Sequence, residues 1–199
     1  MDTVGDSVEG RPLVYIKISG NVTRRSHLEP MFKYVANMHG DEVVGRQMVI
    51  YLAHYLLQNY RRDRRVKQLV DNTEIYLMPS MNPDGYTASK PGCATFGGFN
   101  LFGLGGTSGR ENANSVDLNR DFPKQFDERQ DVDSRTLESG RQPETIALMR
   151  WIKSEPFVLS ANLHGGAVVA SYPFDDSATH RSGLYSASPD DKFFKRVAR

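Results

Sequence analysis

The chain has 199 residues, with 25 Lys+Arg against 24 Asp+Glu and 39% hydrophobic residues. That is one domain's worth of sequence, able to bury roughly two-thirds of its unfolded surface, and a net charge of +1 argues against a broad nucleic-acid or membrane-surface footprint. No run reaches the ~18 consecutive apolar residues of a spanning helix, Met1–Asp6 lacks the basic head and apolar core of a secretory leader, and Cys93, the single cysteine, excludes an internal disulfide.

Taken in chain order, Leu13–Ser19 reads as a strand closed by a turn at Gly20-Asn21, and Met31–Asn37 as a second strand. Glu42–Asn59 carries Val44, Met48, Tyr51, Leu52, Tyr55 and Leu56 close to helical spacing, which predicts a helix packed on a sheet. The basic run Arg61–Arg65 suits the solvated C-terminal end of that helix. Thr73–Met78 predicts a third strand, and Asn82-Pro83-Asp84-Gly85 a turn. Gly92–Gly109 is glycine-rich and loop-like; without a Gly-Lys-Ser/Thr ending it is a loop near a site rather than a phosphate cradle. Pro143–Lys153 predicts a helix, Phe157–Leu163 a buried strand, and Pro189–Val197 a last helix. Strands alternating with helices imply an α/β layered fold with a mostly parallel sheet.

Two segments match: Ala36-Asn37-Met38-His39-Gly40 and Ala161-Asn162-Leu163-His164-Gly165 each end a predicted strand. Ligands of open α/β sheets sit outside the carboxyl ends of strands, so neighbouring parallel strands would aim both imidazoles into one crevice. Glu42, three residues past His39 at the helix entrance, can join them. Two His and one carboxylate suit catalytic zinc, which keeps a fourth position for water. Such a set leaves the ion a net positive charge with which to acidify that water and polarise a carbonyl. Arg110, Asn119 and Arg120 follow the glycine-rich stretch, and guanidinium forks with a directional amide suit a carboxylate.

The segments Asn37–Glu42, Pro79–Tyr86, Asp117–Phe122 and Ser160–Gly166 together resemble the zinc metallocarboxypeptidases. Tyr172-Pro173-Phe174-Asp175-Asp176 and Ser188-Pro189-Asp190-Asp191 place the resemblance nearest the regulatory branch, the carboxypeptidase D/E/N/M group. It implies a three-layer α/β/α fold with a mixed, largely parallel sheet, and one zinc ion held by His39, Glu42 and His164. It implies that Asn119 and Arg120 hold the terminal carboxylate of a peptide or protein, and that Arg110 polarises the scissile carbonyl and stabilises the oxyanion. Asp175 would give a preference for C-terminal Lys or Arg, which a partly buried carboxylate could pair. A secretory or extracellular setting is also implied, in keeping with the Asn21-Val22-Thr23 glycosylation pattern.

Three departures from the family pattern carry expectations. Asp41 and Asp121 stand where relatives often carry Asn, and Pro91–Gly109 is longer than usual for the branch. The family's general-base glutamate and mobile tyrosine fall beyond the segment matched here, its leading helix falls before it, and no glutamate follows His164. The expectation is therefore a partial catalytic domain that hydrolyses slowly by itself, general bases contributing 10²–10⁴-fold. The alternative is a catalytically silent zinc- and C-terminus-binding module. An acyl-amino-acid amidohydrolase shares the metal set, but Asn82–Tyr86 and Tyr172–Asp176 argue against it.

Overall fold

The computed structural model describes residues 1–24, 28–89, 109–126, 133–181 and 183–198. Its strands are β1 (Asp2–Asp6), β2 (Pro12–Ile18), β3 (Met31–Ala36), β4 (Glu74–Met78) and β5 (Phe157–Leu163). Its α-helices are α1 (Val43–Asn59), α2 (Arg64–Asp71), α3 (Pro83–Ala88), α4 (Ser134–Glu138), α5 (Pro143–Ser154) and α6 (Asp191–Val197), with a 3-10 turn at Leu118–Arg120. One sheet runs in the order β1-β2-β4-β3-β5. Strands β4, β3 and β5 are mutually parallel, whereas β2 pairs antiparallel with both β1 and β4. Cys93 and the glycine-rich stretch before Gly109 lie outside the described residues.

Two compact units form. The first, Met1–Phe122 with Gly140–Gly166, contains the whole sheet. Side chains alternate across its central strands. Ile75 and Leu77 of β4 join Ala36 of β3 and the α1 and α2 residues Val49, Ala53, Leu56, Val66 and Val70 on one face. Tyr76 and Met78 of β4 join Met31 and Val35 of β3 and Leu148 and Trp151 of α5 on the other. The result is helices, sheet, helix: the three α/β/α layers. The second unit, Pro123–Ser139 with Ala167–Arg199, has its own contacts. Phe126 packs edge-on to Phe174, Tyr172 stacks on Phe194, and the Tyr185 hydroxyl donates to Asp191 while accepting from Lys195.

Several elements differ from the sequence reading. Helix α1 is where expected, but Val44, Met48, Tyr51 and Tyr55 are exposed, and the buried stripe is Gly45, Val49, Ala53 and Leu56. That stripe packs on Ala36 of β3 and Ile75 and Leu77 of β4, and at its start a Cβ on Gly45 would stand 2.8 Å from that of Leu163 at the end of β5. The basic run is not one helix end. Asp63 accepts hydrogen bonds from the Arg65 and Val66 amides and so caps a new helix, α2, of which Arg64 and Arg65 form the first turn. Asn82 likewise caps a short helix, α3, where a turn was expected. Strand β5 alternates half-buried and exposed residues as an edge strand does, with Val158 69% exposed.

Candidate metal centre

Strand β3 ends at Ala36 because Asn37 takes a left-handed backbone, φ +57°, a conformation Asn tolerates better than other non-glycine residues. Its buried side chain then organises the following loop. The Asn37 amide donates to the carbonyls of His39 and Gly40 (2.9 Å each) and Glu42 (3.3 Å), while its oxygen accepts from Ser80 Oγ at 2.7 Å. This clamp holds the loop that carries the buried His39 ring at the carboxyl end of β3. Strand β5 is β3's parallel neighbour, and His164 leaves it at the same end.

His39 Nδ1 lies 2.9 Å from Glu42 Oε1, and His164 Nδ1 lies 3.0 Å from Glu42 Oε2. The two ring centroids are 5.0 Å apart. One donor atom from each of the three residues falls within 4.8 Å of the other two, a spacing that suits a single ion. Glu42 Oε2 also accepts from the Gly165 amide at 2.9 Å. Burial raises the Glu42 pKa, but hydrogen bonds from His164, His39 and Gly165 outweigh it and hold the carboxyl well below its ordinary range. The group stays an anion at any pH of interest.

Asp117, to which the sequence reading gave no role, completes the set. Its Oδ1 lies 3.0 Å from His39 Nε2 and its Oδ2 3.1 Å from the Arg110 guanidinium. Burial pushes its pKa up, and the His39 and Arg110 charges with the Asn119 amide bring it below the usual value. A neutral imidazole has one N–H, yet His39 faces carboxylate on both sides. With zinc bound, Nε2–H would donate to Asp117 and the Nδ1 lone pair would turn from its contact with Glu42 to the ion. The donor chemistry therefore fits a divalent metal taking imidazole and carboxylate, with Asp117 fixing the tautomer and ring orientation. Its only sequence signal is an acidic residue two positions before Asn119.

Arg110 reaches toward the same carboxylate, 3.5 Å from Glu42 Oε1. Asn119 and Arg120 lie in the 3-10 turn that Asp117 caps through the Asn119 amide. Both are exposed; the Arg120 guanidinium donates to the Asn119 carbonyl at 3.0 Å, and the Asn119 side chain has no hydrogen bond among the described residues. Asp41, next to Glu42, buries one carboxylate oxygen without a partner among the described residues, whereas Asp121 accepts from the Gln142 amide. Asp175 belongs to the second unit and is exposed there, not partly buried as expected.

Comparison with known proteins bears on this geometry. The zinc carboxypeptidase family model matches residues 1–199. Carboxypeptidase D of Drosophila melanogaster is 50% identical over 196 residues, 98% of this chain and 13% of that protein. Carboxypeptidase M of Mus musculus is 45% identical over 202 residues, 100% of this chain and 41% of that protein. The chain thus spans less than half the length of these relatives. Among solved structures, carboxypeptidase A from Helicoverpa armigera shares the fold, with a TM-score of 0.71 at 21% identity over 99% of this chain and 46% of that one. The chain belongs to the zinc carboxypeptidase family, whose metal is zinc.

Proposed function

We propose that these residues form the metal- and C-terminus-binding part of a carboxypeptidase site that releases Lys or Arg from the ends of peptides or proteins. The observation that carries the reading is the convergence of His39, His164 and the Glu42 carboxylate, one donor atom each within 4.8 Å of the others. Zinc in that position supplies Lewis acidity toward the scissile carbonyl and acidifies water. Arg110, beside Glu42, carries a fixed positive charge to the oxygen where negative charge develops. Arg120 and Asn119, exposed on the neighbouring turn, offer a planar fork and an amide to the terminal carboxylate. Asp175 is the acidic residue proposed to select a basic last side chain. A secretory setting suits the exposed Asn21-Val22-Thr23 triplet, whose Asn21 oxygen accepts from the Thr23 and Arg24 amides. No described helix is long and apolar enough to cross a membrane.

These residues are expected to bind zinc and a peptide end. Calorimetry of the zinc-loaded protein with matched peptides ending in Arg or Leu tests the reading. It predicts tighter binding of the Arg peptide, loss of about tenfold or more with Arg120→Ala, and loss of the Arg-over-Leu preference with Asp175→Asn. Equal binding of both peptides would remove the basic specificity; undiminished binding by Arg120→Ala would remove the carboxylate site.

A further inference from the structure

The segment joining β4 to α3 touches both halves of the candidate site. Its backbone continues the sheet: Met81 and Asn82 donate to the carbonyls of Ala36 and Asn37 at 3.0 and 3.1 Å. Ser80 reaches Asn37, whose amide holds the metal loop. Asn82, fully buried, turns the other way. Its oxygen accepts from the Gly85 amide at 2.9 Å, capping α3, and its NH2 donates to the Arg110 carbonyl at 3.2 Å. That carbonyl also accepts from the Gly40 amide of the metal loop, at 3.3 Å.

Around this bond three glycine backbones meet with no room for a side chain. A Cβ on Gly40 would lie 2.2 Å from the Gly85 carbonyl carbon and 2.5 Å from the Gly109 oxygen. A Cβ on Gly109, whose φ is +92°, would lie 2.4 Å from the Gly85 oxygen. The metal loop, the start of α3 and the residue before Arg110 are thus packed main chain to main chain, and Asn82 is the side chain that bonds across them.

We infer that Asn82 is a positioning residue for Arg110: one side-chain amide both caps α3 and pins the Arg110 carbonyl to the metal loop, setting the arginine's place beside the metal ligands. The inference rests on the proposed role of Arg110 for its consequence in binding, but its structural content stands apart. Misplacing a polarising group by about 1 Å can cost on the order of 10²-fold, so this contact governs how well a developing oxyanion is met. Ser80 and Asn37 serve the metal ligands; Asn82 serves the arginine.

The test separates the cap from the pin. Asn82→Asp keeps an oxygen for the Gly85 amide but sets a carboxylate oxygen against the Arg110 carbonyl; Asn82→Ser keeps a good cap and lacks the reach. In both variants amide exchange at Gly40 is expected to accelerate about tenfold, while the Met81 amide stays protected. Zinc affinity is expected to hold, a phosphonate peptide ending in Arg to bind about tenfold or more weakly, and free arginine, which has no scissile carbonyl, to bind as before. Acceleration of Gly40 and Met81 together, no change at Gly40, or zinc affinity falling in step with phosphonate affinity would overturn the inference. If the unaltered protein binds neither phosphonate nor arginine, the role of Arg110 fails instead, and the comparison of Gly40 with Met81 still decides the positioning.

Discussion

His39 directs its two ring nitrogens to different carboxylates, and the consequence is measurable. Asp117→Asn keeps the size of the partner but removes the charge that fixes the ring, and second-partner substitutions of this kind cost about 10–100-fold in metal affinity. Competition with a zinc chelator reads the change directly. His39, Glu42 and His164 were legible in the sequence because each sits at a predictable place, a strand end or a helix entrance. Asp117 was not, because its contact with His39 spans 78 residues and no spacing rule covers it. Lys33 was equally hidden: it occupies an alternating position of β3 that faces α5, 6% exposed, with its ammonium 5.3 Å from the Phe157 ring.

Burial pulls the Lys33 pKa down to about 8 from an ordinary value near 10.5. Between those values the unfolded chain binds the proton that the folded protein releases, so folding stability gains as pH rises through the window. Below pH 8 both states are charged and the full cost of the buried ammonium is present. Lys33→Met should therefore raise stability at pH 7 by about 1–3 kcal/mol and remove the gain between pH 8 and 10. Denaturant titrations of both proteins at the two ends check it, and a variant less stable than the parent at pH 7 would contradict it.

Periodicity located α1, α5 and the central strands at the scale of whole elements, but it misjudged which face of α1 is buried. Large apolar residues attract a hydrophobicity count, whereas the helix approaches the sheet through Gly45, Val49, Ala53 and Leu56. Leu56→Ala should accordingly cost about 2–5 kcal/mol of stability, while Tyr55→Ala on the exposed side should change it by less than about 0.5 kcal/mol. Similar losses from both would mean that the contact face is wrongly drawn. Strand β1 had no period to find: Asp2–Asp6 is held by pairing with β2, and a Cβ on Gly5 would lie 2.8 Å from that of Ala147 in α5. Tertiary contact, not propensity, makes it a strand. Helix α2 was missed because four arginines outweighed the one residue that mattered, the capping Asp63.

Across the first unit, buried polar contacts tie the sheet's outer hairpin to the elements around the site. Asp84 in α3 accepts from Ser7 Oγ at 2.7 Å, the Glu9 amide at 3.0 Å and the Arg11 guanidinium at 2.6 Å. Glu144 at the start of α5 accepts from the Val8 amide and from Asn112, two residues beyond Arg110. Burial raises the Asp84 pKa, but Ser7, the Glu9 amide and Arg11 together bring it below its ordinary 3.8. Its contribution is therefore complete above that value and lost as pH falls through the lower native one. Asp84→Asn should be less stable at pH 7 and lose less on acidification; parallel acid-denaturation curves would contradict this.

The central claim is that His39, Glu42 and His164 hold one zinc ion, and zinc-edge X-ray absorption on the purified, zinc-loaded protein measures it most directly. The account predicts one zinc per chain, about four nitrogen and oxygen neighbours at about 2.0–2.2 Å, and an imidazole signature lost with the metal in His39→Ala and His164→Ala. Zinc bound in equal amount by both variants, or a first shell containing sulfur, would contradict it.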